Sequence, residues 1–290
     1  MWSRTAHIDN EEAFKALRER PTVAWPTVLL LLACLSAIGW SWYACLTDQL
    51  PLWAGLLINT VAMYYLFSPM HDAMHGAVSK YPWLNSAVLF LAVLPIVPLA
   101  TGRFLRFMHM QHHRFANDDA DPDHLLSMKP SHALGKWFFW GHLYKGFYLR
   151  NRDKLPEFSA RIMRREEIAA LGSQLVLLII CPWETLMLMI IPSFFFAWLI
   201  TFVFMFLPHY PHDVKHKDDP YRATAVRVGW EWLLCPLMAY QNYHLGHHLY
   251  PTVPLYRYKK VWESRLTFHM SKNPAIIPAF GLSPRPPKSV

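Results

Sequence analysis

The chain has 290 residues, of which 53% are apolar and 17% are charged, and its formal net charge is +8. The apolar residues form long blocks, which excludes an ordinary water-soluble domain and indicates an integral membrane protein. The four cysteines are widely separated, which excludes a disulfide framework and a cysteine-bound iron–sulfur site. The positive charges are scattered over loops, so they do not indicate nucleic-acid binding.

Residues 1–23 are polar and carry charges of both signs, so we expect a short cytosolic N-terminal segment rather than a signal peptide. Residues 24–46 and 52–67 are then long enough, or nearly so, to cross a membrane, which takes roughly 20 apolar residues. Residues 168–207 are about twice that length. A turn at 181–185 interrupts this block, so it is predicted to form two further spans.

Residues 83–101 are apolar but short, and Pro95 and Pro98 interrupt them. A complete crossing here would place the histidines on either side of this segment on opposite faces of the membrane. We therefore predict a re-entrant hairpin or an embedded helix, shielded by surrounding protein. Beyond it, the aromatic stretch 137–148 is predicted to lie in the membrane interface, and residues 228–240 form an amphipathic stretch.

In this topology all 28 Lys and Arg residues lie on the side of the termini, because the turns at 47–51 and 181–185 contain none. The positive-inside rule makes that side cytosolic. The predicted fold is all-α and integral to the membrane, with four transmembrane helices, the re-entrant or embedded segment and a cytosolic helical cap. Residues 24–272 form the membrane domain, and 273–290 form a flexible Pro-rich tail. The expected location is a bacterial inner (cytoplasmic) membrane.

Three histidine clusters predict a metal site. The pattern HxxHH occurs at 109–113 and at 244–248, and on a helix it places three imidazoles on one face. HDAMH at 71–75 adds two more, and eight histidines exceed the needs of one zinc, which indicates two metal ions with four or five ligands each. His209 is the expected ninth ligand rather than His212, because it lies nearer the end of the last span. The predicted metal ligands are His71, His75, His109, His112, His113, His209, His244, His247 and His248.

Asp72, Asp121 and Asn242 are predicted to accept or donate hydrogen bonds behind these ligands. For Asp72 a solvated charge at a helix end is an equal alternative, and Asp118 and Asp119 are expected to lie in a wet loop. The other histidines are expected at surface or interfacial positions, with His124 left open; they are His7, His132, His142, His216 and His269.

The triple pattern resembles the membrane-bound fatty acid desaturase and hydroxylase superfamily, whose three histidine boxes bind a non-haem di-iron centre. Residues 109–124, the tripeptide LPH at 207–209 and QNYH at 241–244 are most similar to the desaturase-type beta-carotene hydroxylases. The first box, HDAMHG at 71–76, instead resembles carotenoid ketolases. The resemblance implies that the eight box histidines and His209 bind two iron ions (Fe²⁺/Fe³⁺).

It also implies O₂-dependent oxidation of a long lipid, with hydroxylation or ketolation of a carotenoid ring such as that of beta-carotene as the leading expectation. Fatty-acyl desaturation or hydroxylation is the alternative. A zinc-dependent membrane hydrolase is a second, although the H-E-x-x-H motif is missing, and a transporter would instead spread its histidines across the bilayer. The sequence has no flavin or haem motif, so we expect a separate electron donor such as ferredoxin.

Overall fold

A computed structural model describes residues 9–96, 101–124, 129–155, 158 and 160–284. A helical bundle carries a smaller helical cap at one end. The helices are α1 (Glu11–Arg18), α2 (Trp25–Leu46), α3 (Leu52–Met74), α4 (Pro82–Val93), α5 (Gly102–Phe115), α6 (Trp140–Arg150), α7 (Ala160–Ile180), α8 (Pro182–His209), α9 (Glu231–Leu237), α10 (His244–Leu249), α11 (Tyr258–Ser264) and α12 (Leu266–Ser271). The strands are β1 (Ala225–Val228) and β2 (Ala275–Pro278).

Within the described residues, α2, α3 and α8 are the 3 helices that are long and apolar enough to cross a membrane. The sequence predicted four spans, and α7 is the one that does not qualify. Charged side chains occupy its first half, so its apolar part begins only at Ile168 and is shorter than a span requires.

Helix α7 nevertheless runs between the two ends of the bundle. Near its start, Glu166 pairs with Arg103 at the beginning of α5, at 3.1 Å. Its last residue leads into α8, whose first turns pack against the end of α2 and the start of α3. There Gly55 permits a close approach, because a Cβ at this position would lie 2.5 Å from Leu188 Cδ2 and 2.7 Å from Cys45 Sγ.

Helix α4 forms the short apolar segment that follows the first histidine cluster. With 12 residues it is about 18 Å long, which is too short to cross a bilayer. The chain returns in α5, whose first residue Gly102 lies beside Leu89 and Val93 near the end of α4. The pair therefore turns back toward the side from which it came, as expected for a re-entrant segment. Pro98 lies outside the described residues.

The aromatic stretch around α6, predicted to lie in the membrane interface, turns one face to the protein and leaves Phe139 48% exposed. It follows helical spacing, but the face it forms is buried in the bundle core, where Trp140 meets Phe67 edge to face at 6.2 Å. The helical periodicity is confirmed, and the aromatic face that it creates packs on protein. The buried side chains are Trp137, Trp140, Tyr144, Phe147 and Tyr148.

The cap contains a small parallel sheet in which Ala225 of β1 lies opposite Ala275 of β2. The prediction of a flexible tail from residue 273 is therefore wrong for β2, where Ile276 and Ile277 are buried. The N-terminal helix α1 packs against the same cap: Asp9 accepts hydrogen bonds from two backbone amides at the start of α12, at 2.8 and 2.9 Å.

Candidate metal centre

Four separate helices bring the predicted ligands to one place where the bundle meets the cap. The end of α3 supplies two histidines, α5 three, the end of α8 one and α10 three. His113 is half-buried and the other eight are buried. The helical spacing within each cluster explains why neighbouring rings share a face, but only the fold brings the clusters together.

The nine imidazoles form two adjoining sets, in each of which the candidate ligand atoms lie within 4.8 Å of one another. Rings of the two sets are stacked at their boundary, with the centroids of His113 and His248 4.2 Å apart. The five-histidine set is His71, His75, His109, His113 and His247. The four-histidine set is His112, His209, His244 and His248.

The nitrogen–nitrogen distances fit a shared cation. The Nε2 atoms of His75 and His109 are 2.8 Å apart, and His244 Nε2 lies 3.1 Å from its counterparts in His209 and His248. Two nitrogens bound at right angles to one metal at about 2.1 Å would be about 3.0 Å apart. Imidazole is also a suitable ligand for iron, zinc and copper.

The hydrogen bonds of the imidazole rings also fit a bound metal ion. His244 Nδ1 faces the side-chain carbonyl of Gln241, so it carries the proton and leaves a lone pair on Nε2. That lone pair points at two other ring nitrogens, and a cation bound between the three nitrogens would accept their lone pairs. Both nitrogens of the buried His71 ring have no hydrogen-bond partner among the described residues, and a metal would supply one.

Behind the four-histidine set, two carboxylates face His112. Its Nδ1 lies 2.9 Å from Asp121 Oδ1 and 3.4 Å from Asp123 Oδ2. Burial lowers the pKa of His112, but these carboxylates outweigh burial and raise that pKa to about 9. Asp121 is itself held by the backbone amide of Asn117 at 2.8 Å, and Tyr144 donates to Asp123. At neutral pH the ring therefore carries both protons; a metal ion in the set would displace the one on the other ring nitrogen, while the carboxylates hold the proton on Nδ1.

Behind the five-histidine set, the Tyr258 hydroxyl lies 2.9 Å from His247 Nδ1. Burial and the neighbouring histidines hold the pKa of His247 well below its ordinary value, which favours the neutral imidazole that a metal requires. The sequence analysis predicted Asp121 but missed Asp123, Gln241 and Tyr258. Asp123, two residues after Asp121, and Gln241, three residues before His244, carried a local signal, whereas Tyr258 did not.

Two predicted partners take other roles. Asp72 accepts from the Thr27 hydroxyl at 2.8 Å and from the Leu255 amide at 3.1 Å, so it joins α2 and α3 to the loop after α10 instead of bonding an imidazole. Asn242 donates to the Arg227 carbonyl at 3.4 Å and so contacts β1. The Asp72 carboxylate and the Asn242 carboxamide thus support the elements that carry the imidazoles and do not bond an imidazole themselves.

The remaining histidines fall outside both sets. His212 Nδ1 lies 3.2 Å from the Asn117 side-chain oxygen, while His209 joins the four-histidine set. His269, expected near the surface, is buried and stacks on Trp262 with centroids 4.5 Å apart. His124, His132 and His216 are half-buried and His142 is exposed, whereas His7 lies outside the described residues.

Comparison with known proteins gives a consistent assignment. The family model described as fatty acid desaturase matches residues 48–274. Beta-carotene ketolases from two strains of Paracoccus sp. are 29% identical over 193 residues, covering 66% of this chain and 71% of theirs, and 28% identical over 207 residues, covering 70% and 75%. An sn-1 oleoyl-lipid 12-desaturase from Picosynechococcus sp. is 24% identical over 281 residues, covering 84% of this chain and 77% of its own.

The family match covers well over half of the chain and includes all three histidine clusters. The resemblance to the desaturase and hydroxylase superfamily is thereby confirmed, and with it the prediction of a membrane-bound enzyme. The chain belongs to the fatty acid desaturase family and is an oxidoreductase.

Proposed function

We propose that this protein is an O₂-dependent, non-haem di-iron oxygenase that oxidises a long apolar lipid, with a carotenoid ring as the first candidate substrate. The observation that carries the proposal is the pair of adjoining imidazole sets at one end of an apolar bundle. Five ligands in one set and four in the other exceed what a single tetrahedral zinc uses. They suit two ions that retain positions for a further ligand.

Two irons held by these sets would supply the redox chemistry that activates O₂ toward an unactivated C–H bond. The protein's own contribution is to fix and shield the ligands. Asp121, Gln241 and Tyr258 orient three of the rings by holding their Nδ1 protons. Such outer contacts keep ligand nitrogens aimed at the same points.

Aromatic side chains cover the bundle side of the site. Phe67 lies one helical turn before His71, with ring centroids 5.7 Å apart, and it packs edge to face on Phe204 at 4.5 Å. This apolar wall excludes water from the bundle side of the five-histidine set. A lipid held against it would have to place the reacting carbon accurately, because hydroxylation and desaturation differ in geometry more than in ligands.

Two observations favour a carotenoid over an acyl chain. Two relatives are beta-carotene ketolases, and the box HDAMHG at 71–76 resembles that of carotenoid ketolases. Residues 109–124 resemble beta-carotene hydroxylases, so either a keto or a hydroxyl product fits the proposal. Fatty-acyl desaturation or hydroxylation remains the alternative, because the 12-desaturase aligns with a larger share of the chain.

We further propose that the metal centre faces the cytosol of a bacterium, with the chain in its inner membrane. The turns at 47–51 and 181–185, at the opposite end of the bundle, have no Lys or Arg, as the positive-inside rule requires. Electrons would come from a separate donor such as an acidic ferredoxin, which the net charge of +8 would attract.

Expression in cells that accumulate beta-carotene tests the proposal. We expect ring-oxygenated carotenoids in the pigment extract, and none from the His247→Ala variant. Unchanged carotene together with new double bonds or hydroxyls in the acyl lipids would assign the alternative. One zinc and no iron in the purified protein would favour the hydrolase and contradict the oxygenase.

A further inference from the structure

We propose that α9 and an aromatic patch beside it lie in the boundary layer of the bilayer, between headgroups and acyl chains, on the side of the metal centre. The aromatic patch consists of Trp230, Trp232 and Phe280. This aromatic patch contacts the lipids of the bilayer. This inference does not depend on iron or on the substrate.

The patch is unusually apolar and exposed. Trp232 and Phe280 are each 74% exposed and Trp230 is 54% exposed. Their rings form a continuous surface, with centroids 6.0 Å apart between the two tryptophans and 5.7 Å apart between Trp230 and Phe280. Large contiguous apolar surfaces of this kind mark a binding site rather than a water-facing surface.

Helix α9 has one face that packs on the rest of the protein and one face that is exposed. Leu234 and Met238 are buried and belong to the same core cluster as Tyr64 of α3 and Phe204 of α8. On the opposite side of the helix from Leu234, Trp232 is 74% exposed, and Leu237 at the end of the helix is 54% exposed. The helix therefore packs against membrane-spanning helices while turning an apolar face outward.

A hydrogen bond fixes the depth of α9 along the bundle. The Tyr64 hydroxyl donates to the Leu237 carbonyl at 2.7 Å. Tyr64 precedes His71 by seven residues on α3, which is about 10 Å along the helix axis. Helix α9 thus ends closer to the middle of the bundle than the metal centre does, at a level where α3 is part of a predicted span.

Charge distribution favours lipid over a protein partner. Glu231 is the one Asp, Glu, Lys or Arg in residues 228–256, and residues 273–284 have none. Glu231 accepts from the Gly229 amide at 2.8 Å, at the start of α9. A docking site for a soluble protein carries a polar, charged rim, whereas tryptophans without charges are typical of membrane interfaces.

The surface is built rigidly. Arg227 Nη1 donates to the carbonyls of Pro278, Ala279 and Gly281 at 2.6–3.2 Å, which fixes the loop that carries Phe280. Because β1 pairs with β2, this loop stays next to Trp230. The hydrogen bonds of Arg227 and the pairing of the two strands therefore hold the patch in place.

The position of α9 has a consequence for the site. The helix leads through Ala239 and Tyr240, with φ of 45° and 64°, directly to Gln241, which faces the ligand His244. Contact of α9 with lipid would therefore set the height of the third histidine cluster relative to the bilayer.

Photocrosslinking in the intact chain tests the proposal. A diazirine-bearing amino acid replaces Trp232, and in a second variant Phe280, in protein reconstituted into phosphatidylcholine–phosphatidylglycerol vesicles. We expect lipid adducts at both positions with yields within about threefold of those from Trp40, an exposed residue of span α2. Met270 of α12, 38% exposed and two residues before Lys272, is the control in the cap.

Lipid adducts at 232 and 280 no more frequent than at 270 would overturn the proposal. Crosslinks to a second copy of the chain would also overturn it and would assign the patch to a dimer interface. Neither readout uses turnover or bound metal, so a failure here leaves the proposed oxygenase function untouched, and a failure of that function leaves this proposal intact.

Discussion

The two histidine sets are held in different ways. The four-histidine set has one ligand fewer but is backed by charge, since Asp121 and Asp123 face His112. In the five-histidine set, His247 is backed by the neutral phenol of Tyr258, and His71 has no hydrogen-bond partner among the described residues. One set thus relies on anionic support and the other on a larger number of rings.

This difference suggests that the two metal positions differ in how they respond to damage. A carboxylate behind an imidazole increases its basicity and fixes its orientation, so its loss weakens metal binding considerably. An extra ring provides redundancy instead. Each of the following substitutions removes one ligand or one supporting group from a histidine set or its surroundings.

The largest effect is expected from His112→Ala and His247→Ala. Both should abolish turnover, because each set needs its ligands in place. The metal content should differ: His112→Ala leaves three rings in its set and should lose that ion, whereas His247→Ala leaves four and should retain more metal. Elemental analysis of purified protein measures this, with His142→Ala at an exposed position as control. Equal metal loss in the two variants would contradict the contrast.

Asp121→Asn should weaken the four-histidine set selectively. The neutral amide keeps the shape but removes the anion behind His112, and such changes lower metal affinity by about 10–100-fold. Metal titration against a competing chelator would detect one weakened and one unchanged site. Asp119→Asn, an exposed residue of the same run, is the matched control. Unchanged affinity at both sites would show that the carboxylate gives no support.

Tyr258→Phe should have a smaller effect on the five-histidine set. It removes one neutral hydrogen bond, worth about 1 kcal/mol or about fivefold in affinity. The same chelator competition measures it, and Tyr256→Phe on the preceding turn is the control. A loss as large as that of Asp121→Asn would remove the distinction between charged and neutral support.

Asp72→Asn should leave metal affinity almost unchanged and reduce stability. Its carboxylate joins Thr27 of α2 to Leu255, three residues before Tyr258, so it supports the five-histidine set only through the scaffold. Loss of one accepted bond should cost about 1 kcal/mol. Thermal unfolding of the purified protein checks this against Asp48→Asn in the exposed α2–α3 turn. A large change in metal affinity with unchanged unfolding would give Asp72 a direct role at the metal.

Local spacing in the sequence predicted eight of the nine candidate ligands, because HxxHH and HxxxH on a helix place the rings on one face, whereas His209 was predicted from its position at the end of the last span. It could not predict how they divide. His112 belongs to the same sequence cluster as His109 and His113, yet it joins the four-histidine set. Which set it joins depends on how α5 packs against α8 and α10. Tyr258 was missed for the same reason, because its helix α11 meets His247 only in the fold.

The fold has further features that sequence patterns do not settle, for related reasons. An aromatic helical face looks the same in a sequence whether lipid or protein covers it, so the pattern does not show that Trp140 and Tyr144 of α6 are buried. Proline content outweighed the apolar pair Ile276 and Ile277 in the prediction of the tail, whereas pairing with β1 orders them. Hydropathy predicted a span in α7 from Ile168 on; this apolar part is short for a span, although the whole helix runs between the two ends of the bundle.

The central claim is that imidazoles from remote parts of the chain enclose two irons. Metal quantification on purified, detergent-solubilised protein, combined with Mössbauer spectroscopy after growth on ⁵⁷Fe, tests it most directly. The account predicts two iron ions per chain in two distinguishable environments, one for each histidine set. One metal ion per chain, or zinc in place of iron, would contradict it.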